Sequence, residues 1–245
     1  MSHSHTHSHS HHTHDHPHEE KHFKGSEVVR DIVIGMSDGL TVPFALTAGL
    51  SGAVMDNTIV ITAGIAEIIA GSIAMGLGGY LAGKTEYDHF LAEEKREYAE
   101  VELVPEKEKE EIEEILSEYG ISEKVKKEFV EELAKDKDKW VEFMMKFELG
   151  LEKPELNRAR NSALTIAAAY IAGGFIPLAS YFFTDKPQTG LYYSVGVTII
   201  ALALFGFFKN KAIGQNPWRG AMKVTLIGIL AAGSAFFIAK LVSGH

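Results

Sequence analysis

Two acidic side chains stand where acids are costly. Asp38 and Glu67 are the only carboxylates inside five long apolar stretches of the chain. A carboxylate at membrane depth is expensive unless it faces protein, water or a cation, which makes both of them functional candidates. Asp38 sits in Gly35-Met36-Ser37-Asp38-Gly39, with Pro43 soon after. The glycines allow close backbone approach, and the proline leaves a carbonyl free to turn toward an ion. Met75 follows Glu67 by eight residues, so on a helix the two lie within about 80° of one another and about 12 Å apart along the axis. A hard oxygen ligand at one level and a soft thioether at another suit a borderline divalent transition metal better than Ca²⁺ or Mg²⁺.

A second constellation lies in the polar middle of the chain. Glu97 and Glu100 are spaced i, i+3, and Glu108 and Glu111 repeat that spacing beyond Pro105. Residues three apart share a helix face, so a hairpin broken at the proline would gather four carboxylates. Met144, Met145 and Glu148 follow on a later helix, the methionines reading as exposed on a polar surface. The competing reading is a solvated acidic face. Repulsion among so many neighbouring acids argues for a divalent cation that relieves it.

These residues need elements to hold them. The apolar stretches run over 32–54, 59–83, 163–183, 191–208 and 222–242, each about the ~20 residues that cross a bilayer core. Tyr170, Tyr181, Tyr192, Tyr193 and Trp218 read as aromatic anchors near span ends. Glycines at positions 71, 76, 78, 79 and 83, with Ser72, give the second span small-residue faces suited to tight packing and self-association. Between the second and third spans lie amphipathic helices expected over 86–101, 106–120, 122–134 and 139–151, with no strand-like alternation. The fold class is therefore all-α: five transmembrane helices with a helical cytosolic insert between the second and third. The expected organisation is a disordered His-rich tail over 1–24, spans 1–2 over 25–84, the insert over 85–160, and spans 3–5 over 161–245.

Charge supports this division. Of 33 Asp and Glu, 24 fall between Lys84 and Arg160, with 15 of the 24 Lys and Arg; the insert thus holds all nine net negative charges. Such a domain attracts cations and repels nucleic acid. Cysteine is absent, which excludes thiolate ligands, disulfides and cysteine nucleophiles. The N-terminal tail carries ten histidines without an apolar core, so it does not read as a cleaved signal peptide. Lys209, Lys211, Arg219 and Lys223 crowd the loop between the last two spans, whereas Lys186 is alone in the preceding loop. The positive-inside rule then places the N-terminus, the insert and the basic loop in the cytosol.

The string Asp31-Ile-Val-Ile-Gly-Met-Ser-Asp38-Gly-Leu-Thr-Val-Pro43-Phe-Ala-Leu closely resembles the vacuolar iron transporter family. So do Ala-Gly-Ile-Ala-Glu67, Ser-Ile-Ala-Met75-Gly-Leu-Gly-Gly-Tyr-Leu and Phe143-Met-Met-Lys-Phe-Glu148-Leu-Gly-Leu. The likeness extends over nearly everything after His22 and is strongest to plant-type members with a cytosolic metal-binding domain. It implies a homodimer that exchanges cytosolic Fe²⁺ for vacuolar protons, with Asp38, Glu67 and Met75 lining a pathway between the two copies. It also implies insert ligands at Glu97, Glu100, Glu108, Glu111, Met144, Met145 and Glu148. The family pattern leaves the His-rich tail unexplained.

Fe²⁺ is then substrate rather than prosthetic group, and Mn²⁺, Co²⁺ and Zn²⁺ suit the same donors. Expected partners are the metal ions, protons, the lipid bilayer and a second copy of the chain. The expected address is a vacuolar membrane in a eukaryote and the plasma membrane in a prokaryote. One alternative is a membrane-anchored ferritin-like iron-binding or oxidising protein, since Glu86-Tyr87-Asp88-His89 fits Glu-x-x-His; a di-iron site needs two such motifs, and His89 is the only histidine between His22 and His245. The other is a metal sensor, which leaves Asp38 and Glu67 without a purpose. The expectation is a transporter and not an enzyme.

Overall fold

The computed structural model describes residues 22–155 and 157–243; residues 1–21 of the expected His-rich tail lie outside them, and 22–24 already belong to the first helix. Among the described residues there is no strand. Helix α1 spans His22–Ala53 and α2 Asn57–Leu103; three short helices follow, α3 (Pro105–Glu118), α4 (Glu123–Leu133) and α5 (Lys137–Phe147). Helix α6 (Arg158–Ala179) continues into a 3-10 turn, Ser180–Phe183, before α7 (Pro187–Ala212) and α8 (Pro217–Ser243). Five of these helices, α1, α2, α6, α7 and α8, are long and apolar enough to cross a membrane.

Helix α2 has 47 residues, hence a length of about 70 Å, more than twice a ~30 Å bilayer core. It starts where the Asp56 carboxylate accepts from the Thr58 N–H at 2.8 Å and stops before Pro105, which cannot continue it. Its first half packs on α6 and its polar second half packs on α3 and α5. Helix α1 stays helical through Pro43, and the Thr47 hydroxyl donates to the Pro43 carbonyl at 2.8 Å.

Helix α6 sits against both α1 and α2. At Gly35 and Gly39 a Cβ would overlap the carbonyl oxygens of Ile166 and Tyr170 on α6, so only glycine allows this approach. The small residues of α2 are used in the same way: Gly76, Gly79 and Gly83 abut α6, while Gly78 faces open space. The stripe expected to serve self-association is thus mostly spent on packing within the chain. Around the short helices a separate apolar cluster forms from Phe90, Val101, Ile112, Val130, Trp140, Val141, Met144 and Met145.

Helix α5 ends at Phe147, earlier than the expected 151. Gly150, at φ +64°, turns the chain in a conformation that side chains resist, and the Leu151 N–H closes on the Met145 carbonyl at 2.8 Å. Tyr192, Tyr193 and Trp218 are exposed as interfacial anchors should be, but Tyr170 and Tyr181 are buried. The Tyr181 hydroxyl lies 2.9 Å from the Ser51 hydroxyl, deep between helices. Those two tyrosines do structural and site work.

Candidate metal pathway and metal centre

In the apolar bundle, Glu67 on α2 is half-buried. The Tyr170 hydroxyl of α6 donates to its Oε1, and its Oε2 is buried with no hydrogen-bond partner. Gly71, one turn further along α2, makes room for that hydroxyl: a Cβ there would collide with it. One carboxylate oxygen is therefore anchored and the other free. Asp38, half-buried on α1, is close enough to act electrostatically on the same tyrosine.

Met75 lines a different space. A cavity of about 530 Å³ opens between α1, α2 and α6, walled by Asp31, Met75, Gly78, Gly79, Glu86 and Arg158. Asp38 and Glu67 do not line it. Glu67 and Met75 are thus about 12 Å apart along α2, while Asp38 and Glu67 share Tyr170 as a neighbour.

Sequence reasoning passed over three members of this region. Asp31 fell one residue before the expected span, yet α1 begins at His22 and Asp31 is 2 % exposed. Arg158, to which the sequence assigned no role, forms a two-pronged ion pair with Asp31, Nη1 to Oδ2 at 2.6 Å and Nη2 to Oδ1 at 3.3 Å. Tyr170 was read as a belt aromatic. Nothing local marks these roles, because the partners are more than a hundred residues apart.

In the insert, Glu97, Glu108 and Glu148 converge, with one carboxylate oxygen from each lying within 4.8 Å of the others. Glu97 and Glu108 are each 1 % exposed. Glu97 has an ion pair with Arg96 at 3.5 Å, and Glu108 Oε2 has no hydrogen-bond partner. Glu100 and Glu111 sit at the rim, paired with Arg96 at 3.6 Å and Lys107 at 2.7 Å. The expected gathering of four carboxylates is therefore replaced by three: one from α2, one from α3 and one from the turn that ends α5. Met144 and Met145 are 0 % and 3 % exposed, members of the apolar cluster rather than surface groups, because they repeat the stripe of Trp140 and Val141 four residues on.

Three like charges in a partly dry site cannot all ionise easily. Burial, then the neighbouring Glu111 and Glu97, pushes Glu108 up to about 7. Glu148 is itself exposed; partial desolvation, then Glu97 and Glu111, pushes it up to about 7, and burial with Glu100 also raises Glu97. A divalent cation would offset most of the cluster's charge, and the donors that converge are carboxylate oxygens. Around His89 no such cluster forms among the described residues; its ring faces Glu93 at 3.8 Å.

The raised values carry a stability sign. Unfolded, Glu108 and Glu148 titrate near 4.5, so between about 4.5 and 7 the folded state holds more protons and loses stability as pH rises. Metal-free protein should therefore show stronger amide-exchange protection in α3 and α5 at pH 5 than at pH 7.5, after correction for intrinsic exchange. Equal or weaker protection at pH 5 would contradict the titration.

Comparison with known proteins follows the same lines. Residues 29–240 match the model of the VIT family. Vacuolar iron transporter 1 of Arabidopsis thaliana is 53 % identical over 223 residues, covering 91 % of this chain and 89 % of its own length. Vacuolar iron transporter 1 of Tulipa gesneriana is 52 % identical over 224 residues, 91 % of each chain. Protein CCC1 of Saccharomyces cerevisiae is 42 % identical over 226 residues, 87 % of this chain and 69 % of its own. With an all-helical fold, five apolar helices and this match over most of its length, the chain belongs to the vacuolar iron transporter family, a family of transporters and not of enzymes.

Proposed function

We propose that the protein moves Fe²⁺ out of the cytosol into a vacuole in exchange for protons, as a homodimer, with Asp38, Glu67 and Met75 along the route. The observation that carries this reading is Glu67, a carboxylate in the apolar bundle with one oxygen anchored by Tyr170 and the other unpartnered. Such a group holds either a metal or a proton, and the acidic side of the membrane expels the metal by protonation. The names of the relatives support iron and the vacuole. A second copy would double a ligand set that is sparse in one chain, and α2 offers an exposed apolar stripe of Ile69, Ile73 and Leu77 on a face turned away from Glu67.

In this reading the insert faces the cytosol and collects ions through Glu97, Glu108 and Glu148, with Glu100 and Glu111 attracting them at the rim. We also assign Met144 and Met145 to this site as soft donors, which from their buried places in the apolar cluster requires a rearrangement of the insert. The domain division stays as the sequence suggests: spans 1–2, insert, spans 3–5. Mn²⁺, Co²⁺ and Zn²⁺ are competing cargoes. The test is flux into liposomes with an acidic interior; Fe²⁺ uptake that stops when the gradient is collapsed supports exchange.

The thioether adds a prediction of its own. Met75→Ala removes the soft group assigned to the route and should slow Fe²⁺ flux several-fold while shifting preference toward Mn²⁺, the harder ion. Competition flux with both metals reads this directly. Unchanged preference would remove Met75 from the route.

A further inference from the structure

The mouth of the cavity that leads to Met75 is occupied by a guanidinium. Met75 and Glu86 wall the same cavity, and eleven residues of helix separate them by about 16 Å. The cavity therefore reaches from the point where α2 turns polar to the thioether within the bundle. Asp31 lies on this wall, seven residues before Asp38 on α1, about 10 Å away along the axis and on nearly the same face. A cation advancing from the insert side meets Asp31 first.

Asp31 is already taken. Besides the two-pronged pair with Asp31, Arg158 places its Nε 2.8 Å from Glu27 Oε2, and Arg30 approaches Asp31 at 3.9 Å. Glu27 and Asp31 are four residues apart on α1, so one guanidinium spans both. Glu27 is half-exposed, whereas Asp31 and Arg158 are buried. Arginine keeps its charge at every physiological pH. A buried ion pair is a weak source of stability compared with apolar packing, so its place on the cavity wall asks for another reason.

Resting on the transport reading above, we propose that Arg158 is a tethered cation guarding the entrance, and that an incoming ion gains Asp31 only by displacing Arg158 onto Glu27. The guard sets a charge threshold. A divalent ion carries twice the charge of the guanidinium and binds carboxylate oxygen directly. A monovalent ion brings no charge advantage and competes against a group held in place at high effective concentration. Arg158 is thus a specificity-determining residue that keeps K⁺ and Na⁺ off Asp31, and Glu27 is the position to which it withdraws.

The experiment uses the full chain in liposomes with an acidic interior and measures half-saturation for Fe²⁺ at low and high external K⁺. Arg158→Gln should lower half-saturation at low K⁺ several-fold and make flux K⁺-sensitive, whereas the unsubstituted protein ignores K⁺. Glu27→Gln should raise half-saturation at unchanged maximal rate, since the guard loses its alternative anchor. In the Arg158→Gln background, Glu27→Gln should do little. An Arg158→Gln protein with normal half-saturation and K⁺ indifference overturns the proposal. So does a Glu27→Gln effect equally large in both backgrounds, which would mean that Glu27 attracts the metal by itself. If Arg158→Gln fails to insert, Arg158→Lys takes its place: it keeps the charge but loses the fork, so half-saturation should fall and the Glu27→Gln effect should shrink. Absence of any flux in the unsubstituted protein would instead refute the transport reading.

Discussion

Replacing Glu67 with alanine should reduce Fe²⁺ flux to the level of empty liposomes at every metal concentration, with insertion intact and thermal stability lowered by the loss of one hydrogen bond. The expectation follows from the split environment of the carboxylate. Oε1 accepts from Tyr170 and Oε2 has no partner, so alanine removes a cation ligand and leaves behind one hydroxyl, worth about 1–3 kcal/mol of stability if it stays unsatisfied. Glu67→Gln should be equally inactive, because the amide keeps the Tyr170 contact but cannot take both metal and proton. Asp38→Ala should behave similarly, since it removes the other carboxylate of the bundle near Tyr170. Full flux through Glu67→Ala would remove the residue from the route.

The second large effect concerns the insert. Glu97→Ala with Glu108→Ala leaves one carboxylate of the converging three and should weaken metal binding there by at least ~100-fold, about 1.4 kcal/mol for each factor of ten. Binding should also fall as pH drops through about 7, where Glu108 and Glu148 take up protons. Unperturbed carboxylates would hold metal down to about pH 4; desolvation together with repulsion from the neighbouring glutamates moves the window to near neutrality. Titration calorimetry on the full chain with transport blocked by Glu67→Gln isolates this site. In flux assays the double substitution should slow transport at scarce metal and leave the rate at saturating metal mostly intact. Loss of flux at saturating metal would make the insert part of the gate rather than a collector.

The two sites were legible to different depths. Apolar length alone marks the five long helices, and Asp38 and Glu67 stand out because acids are rare there. The i, i+3 spacing of the insert acids correctly pairs helices α2 and α3, but it does not say which member of each pair turns inward. That choice is made by the apolar stripe. Glu97 precedes Val101 by four residues and Glu108 precedes Ile112 by four, so both share the buried face, while Glu100 and Glu111 lie about 60° away from them. The same stripe, read through Trp140 and Val141, places Met144 and Met145 inside, a cue available in the sequence and missed because the helix is polar on average. The Arg158–Asp31 and Tyr170–Glu67 contacts were not readable, since each joins α6 to a helix more than a hundred residues earlier. Only packing creates them.

The coupling of metal to protons is the centre of this account, and simultaneous measurement tests it most directly. The full chain is placed in liposomes with an acidic interior that holds a pH-sensitive dye, and Fe²⁺ is added outside. The account predicts that Fe²⁺ entry and loss of internal protons start together, keep a constant ratio as metal concentration is varied, and vanish together in Glu67→Gln. Fe²⁺ entry at an undiminished rate with no proton movement, or with the pH gradient abolished, would contradict it.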